Sequence, residues 1–188
     1  MARKNPFQKQ RYYNRPWSQL SPKEKLEKIL TFWRMAVPAA FTIIYLPLMS
    51  LPLDIDGIML PNLVFLSVYY WSCYQPSLMP FWLAFLLGLM VDFVMVTPAG
   101  LHGLALMISA WLLSRQAPYF KSRPFQILWL VCTMAFTLYQ TIIYFAIRNL
   151  VGDVAQAEAF VIQGVLTILV FPLLAWFHGL LVHHVITN

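Results

Sequence analysis

Six apolar segments, separated by short turns rich in proline, glycine or charge, constrain the fold of this chain more than any other feature. They cover residues 32–53, 61–74, 81–96, 101–113, 125–147 and 160–183. Because an α-helix needs about 20 apolar residues to cross a bilayer, the first segment and the last two are long enough, whereas the second and fourth are short. For a short segment we expect tilt, local thinning of the bilayer or burial among its neighbours. The pattern predicts an all-α integral membrane protein, built as a compact bundle of six transmembrane helices.

The amino-acid composition supports a membrane location. Of the 188 residues, 60% are hydrophobic and only 11% are charged, whereas about a quarter of the residues in a typical soluble domain carry charge. The amino-terminal stretch is polar for about thirty residues and has no small-residue cleavage site, which argues against a removable signal peptide. We therefore expect the first hydrophobic helix to be retained.

Basic residues are concentrated near the amino terminus, where nine of the 13 lysines and arginines lie before residue 35. Such a stretch usually remains in the cytoplasm beside anionic lipid, so contact with the lipid bilayer is favoured over nucleic-acid binding. Ser21, Pro22 and Glu24 have the spacing of a helix start, with a capping box and proline at the first helical position. The sequence predicts a basic cytoplasmic tail over residues 1–30 that leads into a helix, and a six-helix transmembrane domain over residues 31–188.

The charged loops agree with six crossings of the membrane. With the tail in the cytoplasm, the loop that carries Arg115 and Arg123 falls inside, and the acidic loops that carry Asp54 and Asp153 fall outside. Removing or adding one helix between residues 54 and 115 would send the basic loop outward, against the positive-inside rule. We expect a multi-pass protein with both termini in the cytoplasm.

Asp92 is the one acidic residue inside the apolar segments. A lone carboxylate there should face protein or water and marks a functional site by default. At helical spacing Phe81, Phe85, Gly88 and Asp92 share one face, which we expect to point inward, and the glycine would let another helix approach closely. Asp92 can act as a proton carrier, as a ligand-binding group or as a hydrogen-bond acceptor that holds helices together. Because other buried acids are lacking, a structural or partner-contacting role is favoured over a proton relay.

The remaining polar residues of the segments have simpler explanations. His102 lies across a turn from Asp92, where the carboxylate is one candidate partner and backbone or water is the other. Gln140 and Gln163 are expected to form hydrogen bonds between helices. Cys73 and Cys132 lie in apolar runs, where free cysteine behaves as a small hydrophobe, and no spacing indicates a metal site or a disulfide framework.

Catalytic motifs are absent from the sequence. It contains no HExxH, GxSxG or Walker pattern and no paired carboxylates. Transfer of a phosphorylated lipid would need clustered aspartates around a divalent ion, and Asp92 stands alone. The sequence therefore predicts no enzymatic activity, no catalytic residue, no cofactor and no metal.

A series of short motifs runs from the second to the fourth apolar segment. In order they are Pro61-Asn62-Leu63, Tyr70-Trp71, Ala84-Phe85, Gly88-Leu89 with Asp92, and Gly100 followed by Gly103-Leu104-Ala105. This order resembles the rod shape-determining protein MreD family, over about residues 32–185 and most specifically over residues 61–106. The long basic tail and Asn62 depart from the family pattern without disturbing its order.

The resemblance implies a non-catalytic inner-membrane subunit of the bacterial elongation (rod) complex, which supports lateral peptidoglycan synthesis and rod cell shape. The implied partner is a single-pass MreC-like protein and, through it, MreB filaments, RodA and a class B penicillin-binding protein. The residues that we expect to bind a partner or to form intramembrane polar contacts are Asp92, Gly88, Gly100, His102, Gly103, Phe85, Pro61, Tyr70 and Trp71.

An alternative function follows from the same resemblance, because MreD-like proteins are compared to the six-helix substrate-binding subunits of energy-coupling-factor vitamin transporters. Such a subunit should have a polar pocket lined by several loops and an Ala-x-x-x-Ala docking motif in its first span. The sequence offers few polar groups outside the helices, and that motif is not evident. A membrane structural protein without further assignment is the third possibility.

Overall fold

The computed structural model of the chain describes residues 18, 21–49, 60–120, 123–150, 152 and 157–181. Within these residues the chain forms six α-helices and no β-strand: α1 Pro22–Met49, α2 Leu63–Tyr74, α3 Phe81–Met95, α4 Leu101–Phe120, α5 Phe125–Leu150 and α6 Ala157–Leu181. The all-α prediction is confirmed for this part of the chain. The acidic residues Asp54 and Asp153 and most of the basic tail lie outside the described residues.

The chain divides into two compact units, Met1–Arg34 and Met35–Asn188. In the first unit, the backbone N–H of Ser21 donates to Glu24 Oε2 at 2.7 Å, and the N–H of Glu24 donates to Ser21 Oγ at 3.3 Å. This reciprocal pair is a capping box, and Pro22 occupies the first helical position, where no N–H is needed. The predicted helix start is confirmed.

In the second unit, α2 is a short helix at the centre of the bundle. Its 12 residues extend about 18 Å at 1.5 Å per residue, and every residue from Val64 to Cys73 is buried. Asn62 caps it, with Oδ1 accepting the N–H of Phe65 at 2.9 Å. Helices α3, α4, α5 and α6 all contact it. Of the outcomes expected for a short apolar segment, burial among neighbours is the one found.

Helices α3 and α4 form the most extensive helix pair. A Cβ atom built on Gly88 would lie 2.5 Å from Gly103 Cα and 2.6 Å from the His102 carbonyl oxygen. The two backbones therefore touch only because Gly88 has no side chain. Gly88 and Asp92 point inward as predicted, but Phe81 is 52% exposed. The prediction is wrong at Phe81 because a side chain in the first turn of a helix has neighbours on only one side along the axis.

Helix α4 is longer than the sequence predicted. The apolar pattern stops at residue 113, yet the helix continues to Phe120 and includes Arg115 and Pro118. The extra turns bury Ala117 and Phe120, and the Arg115 guanidinium lies 4.2 Å from the centre of the Trp111 ring. Burial of the Ala117 and Phe120 side chains carries the helix past the polar residues that interrupt the apolar pattern. The prediction of a short fourth helix is therefore wrong.

Helices α5 and α6 are long and apolar enough to cross a membrane, over Phe125–Leu150 and Ala157–Leu180. Only 22% of the most apolar window of each is buried in the protein, so their outer faces carry large exposed hydrophobic side chains. Such surfaces are typical of helices that face lipid. The predicted total of six crossings stays a prediction.

Polar side chains connect α5 to α6. Trp129 Nε1 donates to the Ile168 carbonyl at 3.1 Å, which lies four residues before Pro172 and therefore lacks its usual helical donor. Gln140 Nε2 donates to Gln163 Oε1 at 3.3 Å, which confirms the predicted role of both amides between helices. Cys73 and Cys132 are free and buried, as expected for small apolar residues.

Candidate functional site

Asp92 lies in the last turn of α3, is 2% exposed, and accepts five hydrogen bonds. Its Oδ1 accepts from Thr97 Oγ1 at 2.9 Å, from the His102 N–H at 3.0 Å and from His102 Nδ1 at 2.8 Å. Its Oδ2 accepts from the N–H groups of Gly100 at 2.9 Å and Gly103 at 3.4 Å. We call these five residues the Asp92 site.

The Asp92 carboxylate accepts hydrogen bonds from N–H groups at the start of α4. The first N–H groups of an α-helix have no partner within the helix, and a negative charge is favourable beside them. The carboxylate reaches from α3 to cap α4, so its charge and the unpaired N–H groups satisfy each other. Because both oxygens are occupied by donors of the same chain, the geometry supports an acceptor that joins two helices over a proton carrier.

His102 is oriented by the Asp92 carboxylate. Since a carboxylate accepts hydrogen bonds, the 2.8 Å contact places the ring hydrogen on Nδ1. The ring also lies edge-on to Tyr139, with centroids 6.1 Å apart. Of the two partners considered for this histidine, Asp92 is the one that the structure shows.

Gly88, Gly100 and Gly103 each occupy a position that favours glycine, but for different physical reasons. Gly100 has a φ of +93°, a conformation that glycine adopts without strain. Gly103 lies against Phe85, whose ring would be 3.2 Å from an added Cβ, and Gly88 lies against Gly103 itself. The helix that Gly88 admits is therefore α4 of the same chain, and a larger residue there acts first on the α3–α4 contact.

Val96 ends α3 in a conformation that the sequence did not reveal. Its φ of 53° and ψ of 40° are left-handed, which is unusual for a β-branched residue and costs about 1–2 kcal/mol. The neighbouring Thr97 holds the turn, because its N–H donates to the Asp92 carbonyl at 3.1 Å and its hydroxyl donates to the carboxylate. The Val96 side chain is 90% exposed.

The other predicted site residues lie on or next to α2. Pro61 immediately precedes the cap of α2, whereas Tyr70 and Trp71 lie near its carboxyl end. Their rings surround His178, with centroids 5.0 Å and 5.5 Å from the imidazole. The structure therefore brings six of the nine predicted residues together around α3 and α4 and places Tyr70 and Trp71 around a second buried histidine.

His178 is the centre of a polar cluster that sequence reasoning missed. It is fully buried; Nδ1 donates to the Leu174 carbonyl at 2.9 Å, and Nε2 lies 3.4 Å from Ser67 Oγ. Ser67 Oγ is in turn 2.7 Å from Thr42 Oγ1. We call Thr42, Ser67 and His178 the His178 site. It joins α1, α2 and α6, and in the sequence each of its three members is one of several polar residues in its apolar segment, which does not single it out.

Two concave features lie near these residues. A cavity of about 270 Å³ adjoins the Asp92 site, and the polar residues of its described lining are Asn62, Thr97, His102, Tyr139, Gln140 and Gln163. A groove of about 330 Å³ follows α5 and α6 around Gly164. Within the described residues, no group of three or more His, Cys, Asp or Glu side chains is arranged to hold a metal ion.

Comparison with known proteins gives one match. The family model described as rod shape-determining protein MreD matches residues 27–182, a range that contains both polar sites, the cavity and the groove. No curated protein and no solved structure matches the chain at a significant level.

Proposed function

The chain belongs to the rod shape-determining protein MreD family, and from this premise we propose that it is a non-catalytic subunit of the bacterial elongation complex. The family and the apolar helices give a membrane protein with a role in rod cell shape. The proposed lack of catalytic activity is supported by the Asp92 site, where the buried carboxylate accepts hydrogen bonds from His102 Nδ1 and from backbone N–H groups. The family match does not favour the transporter-subunit alternative.

The proposed location is the inner membrane, with six crossings and both termini in the cytoplasm. Six described helices coincide with the six apolar segments, and the charged loops follow the positive-inside rule. Arg123→Cys and Glu158→Cys test this arrangement, because both positions are exposed and the two native cysteines are buried. A membrane-impermeant thiol reagent should label Glu158→Cys in spheroplasts and Arg123→Cys only after the inner membrane is opened. The reverse pattern would contradict the topology.

The proposed direct partner is the transmembrane helix of an MreC-like protein, seated in the α5–α6 groove. The observation that carries this placement is Gly164. A Cβ there would meet nothing closer than Gln140 Oε1 at 3.6 Å, an ordinary contact, so the internal packing of the chain does not require glycine. Small residues on a transmembrane surface let a second backbone approach closely, where packing drives association.

The groove walls suit an apolar helix. The hydroxyls of Thr137 and Thr141 donate to carbonyls one turn earlier, at 2.8 Å and 2.7 Å, so they need no partner from outside. Ala157 and Val161 add small apolar surface on α6. Through the MreC-like protein the subunit would connect to MreB filaments, RodA and a class B penicillin-binding protein and support lateral peptidoglycan synthesis.

The test is recovery of the tagged MreC-like protein from mild detergent with matched expression. Gly164→Leu fills the groove and should reduce recovery, whereas Gly164→Ala should reduce it less. Leu169→Trp is the matched control, because Leu169 is exposed on α6 but does not line the groove. All variants should elute as single species in gel filtration. Equal recovery with Gly164→Leu and wild type would place the partner elsewhere.

A further inference from the structure

The cavity beside the Asp92 site lies at one end of the bundle, where α1 and α3 end and α4 and α6 begin. Residues from several elements meet there, among them Met49 of α1, Met95 of α3, His102 of α4 and Gln163 of α6. In the proposed topology this end faces away from the cytoplasm. The cavity volume of about 270 Å³ greatly exceeds the space that one water molecule needs.

Tyr139 supplies a buried polar group to the cavity. Its side chain is 4% exposed and lines the cavity, and its hydroxyl has no hydrogen-bond partner among the described residues. The side-chain amide of Asn62 lies close enough to interact with the hydroxyl, but the pair does not reach hydrogen-bond geometry. Buried polar groups in folded proteins nearly always have a partner, so an unpaired hydroxyl in a cavity indicates a ligand or water.

Ring packing fixes the position of the Tyr139 hydroxyl, and several neighbouring polar groups already have hydrogen-bond partners. The Tyr139 ring packs against Phe65 and His102, with centroids 4.8 Å and 6.1 Å apart. His102 Nδ1 and the Thr97 hydroxyl both donate to Asp92, and Gln163 Nε2 donates to the Leu60 carbonyl at 3.0 Å. The Tyr139 hydroxyl and Gln140 Oε1, which are both buried without a partner, are therefore among the hydrogen-bonding groups that this lining offers a ligand.

The rest of the lining limits the chemistry of that ligand. Among the described residues, no lysine or arginine lines the cavity, so a phosphate or carboxylate would find no counter-ion in this lining. Val91, Met95, Ile143 and Ile147 form apolar walls. A ligand with an uncharged polar head and an alkyl body fits both features.

We propose that this cavity binds an uncharged amphiphile, whose hydroxyl head exchanges a hydrogen bond with Tyr139 and whose first carbons pack on the apolar walls. The chemical class is that of a fatty alcohol or a neutral glyceride, not of a fatty acid or a phospholipid phosphate. This cavity adjoins the α5–α6 groove at Gln140 and Phe160, but the proposal does not depend on the MreC-like protein.

A photoreactive fatty alcohol that carries a diazirine on its chain and a terminal alkyne tests the proposal on the full-length protein in detergent. Its matched probe is the fatty acid of the same chain. The alcohol should label peptides that contain the cavity walls on α3 and α5, and it should do so more than the acid. Tyr139→Phe removes only the hydroxyl and should lower this labelling roughly two- to tenfold, the effect of one lost hydrogen bond.

Two controls separate binding from folding. Ile143→Phe fills the cavity and should abolish the labelling, whereas Ile142→Phe adds the same atoms to an exposed neighbour on α5 and should not. Tyr139→Phe should melt at the wild-type temperature or above it, because it removes an unpaired buried hydroxyl. Labelling confined to lipid-facing residues, or unchanged in both Tyr139→Phe and Ile143→Phe, would overturn the proposal and leave water as the occupant.

Discussion

The two buried histidines among the described residues, His102 and His178, are held in opposite ways. In the Asp92 site every partner lies between residues 92 and 103, and three of the five donors are backbone N–H groups. In the His178 site, His178 also bonds the Leu174 carbonyl of its own helix, but the contacts between helices join side chains, with Ser67 111 residues from His178 and Thr42 25 residues from Ser67. The Asp92 site caps α4, whereas the His178 site connects α1, α2 and α6 through contacts between side chains.

The difference decides which site can be replaced. Backbone N–H groups cannot be removed by substitution, so α4 needs an acceptor at its start whatever side chain supplies it. Side-chain hydroxyls and an imidazole can be exchanged together for apolar groups of similar shape, which is often nearly neutral in energy. We therefore expect the Asp92 site to be much more sensitive to mutation than the His178 site.

The largest effect is expected from Asp92→Leu. It removes all five acceptor contacts and leaves buried donors unpaired, which should lower stability by about 3 kcal/mol or more. Asp92→Asn keeps one acceptor oxygen but directs an NH₂ group at backbone donors, so its loss should be intermediate. Thermal unfolding in one detergent, followed by fluorescence-detected gel filtration, measures both.

The relative stabilities of Asp92→Asn and Asp92→Leu test whether capping α4 is the main role of the carboxylate. If Asp92→Asn and Asp92→Leu fold as stably as wild type yet both abolish rod shape, the carboxylate acts through its charge, and capping is not its main role. Insertion of each variant in the membrane fraction is the necessary control.

The second-largest loss of stability is expected at Gly88, whereas the same substitution at Gly164 should have almost no effect. Gly88→Ala forces a methyl group against the Gly103 backbone and should cost about 1–3 kcal/mol, as overpacking does. Gly164→Ala meets only ordinary contacts and should leave stability almost unchanged. Both are read from melting temperatures, and a Gly88→Ala variant as stable as wild type would show that α3 and α4 are not in backbone contact.

Local patterns in the sequence predicted local structure well. The apolar segments, the capping box at Ser21 and the isolation of Asp92 are all features within about a dozen residues, which is the range over which helix chemistry is encoded. The identity of the helix facing Gly88 is a tertiary property, and so is the burial that extends α4 to Phe120. No spacing within one segment indicates a contact such as that between Ser67 and His178.

A smaller effect, of opposite sign, is expected at Val96. Val96→Gly relieves the left-handed conformation, and removal of a mostly exposed side chain loses little packing. Because the left-handed penalty for a residue with a Cβ is about 1–2 kcal/mol, and glycine adds entropy to the unfolded chain, a net gain of about 0.5–1 kcal/mol is expected. The melting temperature checks it, with Phe93→Gly, at an exposed helical residue of the same helix, as a control that should destabilise. A less stable Val96→Gly would mean that the Val96 side chain contributes packing.

The smallest net effect is expected from replacing the whole His178 site. In the combined variant Thr42→Val, Ser67→Ala and His178→Leu, no donor or acceptor of the cluster remains unpaired, because the Leu174 and Pro38 carbonyls keep their helical positions. Stability should therefore stay within about 1 kcal/mol of wild type.

The single variant Ser67→Ala is the informative partner of that combination. It removes the link between the Thr42 hydroxyl and the imidazole, so it leaves His178 Nε2 buried without a partner and should be less stable than the combined variant. Unfolding of both in the same detergent gives the comparison. If the combined variant lost as much stability as Asp92→Leu, the imidazole would be required and could not be replaced by apolar side chains. The proposed difference in mutational sensitivity between the Asp92 site and the His178 site would then be wrong.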